Sequence, residues 1–259
     1  MPNPSFERLD TAMVRLGLAP TRSQAENLIR LGQVKVGGQV ATKPGFKLSP
    51  KVTVELLATE RYVSRAGLKL ASVAKLLELD FRGKTVLDVG SSTGGFTDYA
   101  LQNGANLVYA VDVGTDQLHP SLRGDDRIEL YEKTDIRNVY SPVGVAPSDV
   151  SSQKLSTTPD VIVIDVSFIS LRDVLPHIAS SIAGPSTQIV AMVKPQFEAG
   201  KNQANKGVIK NESVRRKILA DFEAWARQYF VVGQKRDSEV SGSRGNRERF
   251  YRLSILAKK

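Results

Sequence analysis

The chain reads as an α/β protein: a Rossmann-like sheet headed by a small α+β unit. Three observations carry that reading. From Tyr62 onward, short β-branched runs alternate with helical stretches, the pattern of a mainly parallel sheet covered on both faces. Residues 1–57 follow a different order, with two helical stretches and then strand-like pieces. Between the first long strand and its helix lies a glycine-rich turn, at the strand end where such sheets bind ligands.

In the leading unit, Ser5 is placed to cap a first helix on which Leu9, Met13 and Leu16 recur at helical spacing. Gly17 ends it. Thr21-Arg22-Ser23-Gln24 forms a capping box for a second helix, whose buried face is Ala25, Leu28 and Ile29. Strands are expected at 34–36, 39–41 and 52–54, with Gly37-Gly38 making a tight hairpin between the first two. Eight basic residues stand against four acidic ones over residues 1–57. So small a unit buries too little surface for a catalytic cleft, so binding is its expected role, although such a charge excess also suits a merely solvated face.

The second unit follows a short linker at 58–61 and runs from 62 to 259. Strands are expected at 85–89, 107–112, 128–131, 161–165 and 189–193, and helices at 68–79, 96–103, 171–178 and 212–229. Two further β-branched or aromatic pieces, 231–232 and 250–256, close the pattern. The Ser/Pro/Thr-rich stretch 141–159 has no periodicity and reads as a mobile loop.

Composition narrows the chemistry. The longest apolar run, 161–171, is too short to span a bilayer and carries Asp165, and the first ten residues lack a secretory core, so a cytoplasmic protein is expected. With no cysteine and two histidines, thiolate nucleophiles, iron–sulfur clusters and Cys- or His-rich zinc sites are excluded, and no metal is expected. Lys, Asp, Glu and Ser, or a bound cofactor, must do the work. A formal net charge of +9 favours a polyanionic partner such as nucleic acid.

The turn reads Asp88-Val89-Gly90-Ser91-Ser92-Thr93-Gly94-Gly95. A dinucleotide site needs glycine in the middle position for a close approach of pyrophosphate, and here that position is Ser92. Asp112, 22 residues after Gly90, ends the second strand where a carboxylate can take ribose hydroxyls. The loop suits a nucleoside without pyrophosphate, and S-adenosylmethionine fits that description.

Residues 85–98 (TVLDVGSSTGGFTD), 161–171 (VIVIDVSFISL), 193–200 (VKPQFEAG) and 62–70 (YVSRAGLKL) resemble the TlyA family of FtsJ-like RNA ribose methyltransferases. The leading pattern RLD…GLAPTRSQAENLI…GQVKVGG resembles the S-four (alpha-L) RNA-binding domain that heads the same family. The resemblance implies a Lys-Asp-Lys-Glu tetrad of Lys69, Asp165, Lys194 and Glu248; Glu239 is the rival for the last place, and Glu248 is preferred because it follows Gly245-Asn246. In this reading Lys194 orients or deprotonates a ribose hydroxyl, Asp165 positions Lys194 and faces the sulfonium, and Lys69 with Glu248 completes the charge network. Each residue also has a plainer reading, Lys69 as a helix-surface lysine and Glu248 as the surface partner of Arg247 or Arg249.

By the same resemblance, Asp88, Gly90, Ser91, Thr93, Gly94 and Gly95 hold the cofactor, Asp112 its ribose, and Asp135 the region of the adenine. Arg8, Arg22, Lys43 and Arg65 match basic positions that reach RNA phosphates. Ala66 and Lys210-Asn211 depart from the family's usual residues. Without cysteine, carbon-five pyrimidine methylation is disfavoured, and Asp165-Val166-Ser167-Phe168 lacks the Pro-Pro of amino methylation. The expected partner is ribosomal RNA or a ribosomal subunit, modified on a cytidine ribose. Two rivals are an RNA-binding assembly factor without catalysis and a membrane-active haemolysin, the second opposed by the apolar-run arithmetic.

Overall fold

The alternation of apolar residues along each strand and helix resolves into two separately packed units, residues 1–61 and 62–259. The structure, a computed structural model, describes residues 6–30, 32–49, 51–56, 61–146, 152–199, 208–209, 211–242 and 245–256. The cap assigned to Ser5, most of the linker and Lys210 lie outside them.

In the first unit, β1 (Glu7–Arg8) leads into α1 (Leu9–Arg15) and α2 (Arg22–Arg30), followed by β2 (Val34–Val36), β3 (Gln39–Ala41), β4 (Lys47–Leu48) and β5 (Val54–Leu56). The helices close over Leu9, Met13, Ala25, Ile29 and Val34, all fully buried. Leu16, expected on that face, is exposed, because α1 has ended at Arg15. The capping box is half made: Thr21 Oγ1 accepts the Gln24 amide at 3.3 Å. Gly37 and Gly38 take φ of 57° and 80°, the paired positive values a two-residue hairpin needs. The last strand falls at 54–56 rather than 52–54, since Val36 pairs with Val54 and Val34 with Leu56.

The second unit begins with α3 (Arg65–Ala74) and runs through β6 (Thr85–Val89), α4 (Gly95–Gln102), β7 (Leu107–Val111) and β8 (Ile128–Tyr131). A single 3-10 turn at Ile136–Asn138 precedes the short parallel pair β9 (Val139–Tyr140) and β10 (Gln153–Lys154). Then come β11 (Val161–Ile164), α5 (Leu171–His177), β12 (Gln188–Val193), α6 (Pro195–Glu198), α7 (Glu212–Ala226), β13 (Phe230–Asp237) and β14 (Arg249–Ile255). The main sheet has the order β13-β14-β12-β11-β6-β7-β8, with the last five strands parallel and β14 antiparallel to both its neighbours, β12 and β13. Successive residues feed opposite cores. Leu87 and Val89 pack with Leu171, Leu175 and Phe222 of α5 and α7. Val86 instead packs with Leu70, Phe96 and Ala100 of α3 and α4.

Two expectations are corrected. The helix expected at 68–79 starts at Arg65, after Ser64 in extended backbone, and ends at Ala74. The stretch 141–159 is not all loop: Leu155 is fully buried, and Tyr109 Oη bonds Ser156 Oγ at 2.6 Å and the Thr157 amide at 2.9 Å. Within 151–158 Leu155 stands alone among polar residues and sets up no periodicity, so this anchoring leaves no pattern in the sequence.

The chain builds β6, β7 and β8 outward, then returns to lay β11 on the other side of β6. Such a reversal opens a crevice beyond the carboxyl ends of the two neighbouring strands. Asp88 and Asp165 lie at those ends.

Candidate active site

Parallel pairing sets the first half of the site. The Asp165 amide continues the ladder past β11 by donating to the Val89 carbonyl at 2.9 Å. Lys194 follows β12 directly and precedes Pro195, the first residue of α6, where a missing N–H costs nothing. Adjacent strands thus deliver the two side chains to one point: Lys194 Nζ lies 2.5 Å from Asp165 Oδ1 and 2.7 Å from Ser167 Oγ.

The second half comes from α3 and the approach to β14. Lys69 Nζ meets Glu248 Oε2 at 2.9 Å, with 11% and 3% of the two side chains exposed. The backbone around Glu248 is held on both sides, since Ser238 N donates to the Glu248 carbonyl at 3.0 Å and Arg215 Nε to that of Arg247 at 3.0 Å. Arg215 is itself pinned to Asp237 at 2.7 Å. Glu239, the rival, is exposed and joins this region through its amide, which reaches Ser72 Oγ at 3.4 Å.

The two pairs share one electrostatic field. Burial raises the Asp165 carboxyl above its ordinary value, opposed by Lys194 and then by Lys69. Burial also raises Glu248, opposed by Lys69 and Lys194 and pushed further by Asp165. Two lysine and two acidic side chains thus stand together, each paired with its opposite as buried ionisable groups must be.

Beside this cluster lie two adjoining cavities, of about 380 and about 150 Å³, which share Gly90, Ser92, Asp165 and Ser167. Gly90 takes φ of 80°, and a Cβ there would sit 2.9 Å from the Asp165 carbonyl oxygen, so only glycine fits. Asp112 lines the larger cavity, where its carboxylate accepts the Ser92 amide at 2.9 Å and the Gly114 amide at 2.7 Å. Asp135 also lines it, but is committed to Arg137 at 2.6 Å, which holds its carboxyl below the usual range.

The smaller cavity reaches Asp88, Ser91, Thr93 and Lys194. Asp88 Oδ2 accepts the amide and hydroxyl of Thr97 at 2.9 and 2.7 Å, whereas its buried Oδ1 has no hydrogen-bond partner among the described residues. Burial pushes this carboxyl up to about 7, and Asp165 and Asp112 add to the shift. Ser91 Oγ is likewise buried without a hydrogen-bond partner among the described residues. Gly94 and Gly95 were expected to hold the cofactor. Neither lines either cavity; a Cβ on Gly94 would meet Leu118 and Leu122, and one on Gly95 would meet Ser64 and Ala66. Their smallness serves helix packing.

Comparison with known proteins matches residues 62–254 to the FtsJ-like methyltransferase family and residues 7–54 to the S4 domain. A 16S/23S rRNA (cytidine-2'-O)-methyltransferase, TlyA of Mycobacterium tuberculosis, is 37% identical over 251 residues, which cover 95% of this chain and 89% of the relative. Hemolysin A of Brachyspira hyodysenteriae is 36% identical over 213 residues, covering 82% and 84%. A solved structure of a provisionally named hemolysin from Streptococcus thermophilus aligns with a TM-score of 0.71 at 38% identity, covering 99% of this chain and 90% of that one. The chain belongs to the TlyA family of FtsJ-like methyltransferases.

In this TlyA-family chain the basic residues expected to meet RNA divide between the units. Asp10, fully buried, accepts Arg8 through Nε and Nη2 at 3.0 and 2.7 Å and Arg22 through Nε at 3.1 Å. One carboxylate thus gathers two guanidiniums, and they hold it well below the usual carboxylate range, Arg8 foremost. Lys43 is exposed in the same unit. Arg65 is in the other, on α3, with its Nη2 donating to the Ser241 carbonyl at 2.5 Å. Among the described residues no cluster suits a metal ion, and no helix is long and apolar enough to cross a membrane.

Sequence reasoning passed over three residues of the site. Ser92, discounted as an obstruction, takes φ of 46° and lines both cavities. Ser167 contacts Lys194. Phe168 adopts φ of 68°, rare for an aromatic residue, and is 91% exposed, with its ring 5.2 Å from that of Phe197. The signal was present: Val-Ser-Phe follows Asp165 where amino methyltransferases carry Pro-Pro and then an aromatic ring, and only the absent prolines were weighed.

Proposed function

We propose that this protein is an S-adenosylmethionine-dependent methyltransferase acting on the ribose 2′-hydroxyl of ribosomal RNA, at a cytidine. The observation that carries the reading is the Lys194–Asp165 pair at the junction of a nucleoside-sized cavity and a smaller polar one. The residues present suit the cofactor. Asp112 faces the larger cavity as a ribose acceptor, and the apolar Val111, Val113 and Ile136 beside it suit a base. The unpartnered Asp88 Oδ1 in the smaller one matches an α-ammonium group.

When bound, the cofactor supplies a methyl group on a positively charged sulfur. The remaining tasks fall to the chain. Lys194 orients the ribose hydroxyl and takes its proton as the oxygen–carbon bond forms and the sulfur–carbon bond breaks. Asp165 holds Lys194 through the 2.5 Å contact and places negative charge beside the cavity. The Lys69–Glu248 pair balances that charge across the site. Exposed Phe168 offers a stacking face for an extruded base, which an enzyme acting on duplex RNA requires.

The first unit supplies the grip, through Arg8, Arg22 and Lys43 on phosphates, with residues 1–57 as the RNA-binding domain and 62–259 as the catalytic one. Phosphate contacts position the RNA without reading sequence. Cytoplasmic ribosomal subunits are the setting this substrate implies. The test is incubation with methyl-labelled cofactor and separated ribosomal subunits, followed by mapping of alkali-resistant linkages. Lys194→Ala is expected to bind cofactor and transfer no methyl group. Near-normal turnover of that variant would refute the assignment, and cofactor binding without transfer by the unaltered protein would favour an assembly factor.

A further inference from the structure

We infer that Ser167 is a positioning residue for the transfer step, holding the Lys194 amine so that its lone pair is left facing the methyl acceptor. The inference rests on the base role proposed for Lys194. Neither the tetrad nor the glycine turn includes Ser167, yet it lines both cavities and its Oγ lies 2.7 Å from Lys194 Nζ.

A primary amine in its base form has two N–H bonds and one lone pair. Asp165 Oδ1 lies 2.5 Å away and takes up one side of the amine. With that partner alone the amine can still turn about its last carbon–nitrogen bond, and the lone pair has no fixed direction. Ser167 Oγ accepts an N–H at 2.7 Å and removes that freedom. Among the described residues its other hydrogen bond is a 3.5 Å approach to the Asp165 carbonyl oxygen, at the outer limit of a hydrogen bond, which a ribose hydroxyl readily displaces. The proton leaving the 2′-oxygen then has one destination, Lys194 Nζ.

The loop carrying Ser167 is anchored at both ends, as a positioning role demands. At one end the Asp165 amide is tied to Val89 at 2.9 Å. At the other, buried Glu198 accepts the Ser170 hydroxyl at 2.6 Å and the Leu171 amide at 2.7 Å. Glu198 closes α6, the four-residue helix that follows Lys194, so one short element fixes both partners of the 2.7 Å contact. Between the anchors the chain passes through the left-handed backbone of Phe168 at φ 68°, a conformation that persists only where its surroundings enforce it.

The experiment compares Ser167→Ala, Ser167→Thr and Lys194→Ala in the full-length protein, with labelled cofactor and ribosomal subunits as substrate. Ser167→Ala is expected to lower kcat about tenfold, the effect of losing one hydrogen bond at a reacting group, with KM for RNA and cofactor Kd within about twofold. Ser167→Thr, which keeps the hydroxyl, is expected to restore kcat to within about threefold of the parent. An unchanged kcat in Ser167→Ala overturns the inference. So does a raised KM at constant kcat, or a Ser167→Thr variant as slow as Ser167→Ala. If Lys194→Ala remains active, the base assignment itself has failed; if it is inactive while Ser167→Ala is normal, only the role of Ser167 has.

Discussion

Asp88 lets the pH dependence of stability be worked out from one side chain. Its carboxyl is fully buried, rises from 3.8 to about 7 on folding, and so is neutral in the folded protein at a pH where the unfolded chain is ionised. The folded state then binds the extra proton, and stability falls as pH rises from 3.8 through about 7. Between about pH 5 and about pH 8 this one group removes roughly 2–3 kcal/mol of stability. Asp88→Asn abolishes the titration, and its amide oxygen can still accept both Thr97 donors. Any cost of burying the new NH2 is independent of pH and cancels between the two conditions. Urea unfolding of ligand-free protein, followed through the single tryptophan, Trp225, should therefore show a variant-minus-parent difference more favourable at about pH 8 than at about pH 5 by roughly 2–3 kcal/mol. Equal differences at both pH values would refute the buried-carboxyl account. Cofactor affinity of the parent should rise over the same interval, because an ammonium ligand favours the ionised form, whereas Asp88→Asn should bind weakly throughout.

Gly67→Ala would place a Cβ 2.5 Å from the Tyr62 side chain and 2.9 Å from the Gly95 carbonyl, so urea midpoints should report a loss of about 1–3 kcal/mol; an unchanged midpoint contradicts the packing. Glu248→Gln leaves the Lys69 ammonium without its 2.9 Å carboxylate partner, and equilibrium unfolding should show a cost of about 3 kcal/mol. Asp10 is depressed by Arg8 and Arg22, so its contribution is present above 3.8 and lost as pH falls below it. Asp10→Asn should flatten the acid limb of the first unit's unfolding, read by amide hydrogen exchange. Arg22→Ala should weaken RNA binding across sequences and reduce the salt slope by about 1, and an unchanged slope would remove Arg22 from the phosphate contacts.

Much of this architecture is legible in the residues. Runs such as Val161–Ile164 and Gln188–Val193 are apolar without alternation, which only a strand buried on both faces sustains. Asp165 and Lys194 stood out because a charge that ends such a run needs a partner. What escaped was set by long-range pairing. Nothing local says that β14 inserts antiparallel beside β12, yet that register, with Val193 opposite Arg249, is what brings Glu248 level with Lys194. The packing role of Gly94 and Gly95 escaped as well, because the sequence shows a missing side chain but not which neighbour needs the space. Ser167 and Phe168 lie in a turn held by Glu198, about 30 residues away, beyond the reach of any periodic pattern.

The position of β14 has a consequence for when the protein becomes competent. Among the described residues it is the ninth and last strand of the second unit, yet it occupies an interior slot of the sheet, between β12 and β13. A growing polypeptide can lay down the nucleoside cavity from β6, β7 and β11 long before this, but Lys69 has no counter-charge until the segment beginning at Arg249 is seated. A nascent chain emerging among ribosomes, the very particles proposed as its substrate, would thus be inert toward them until the segment beginning at Arg249 has been made and seated.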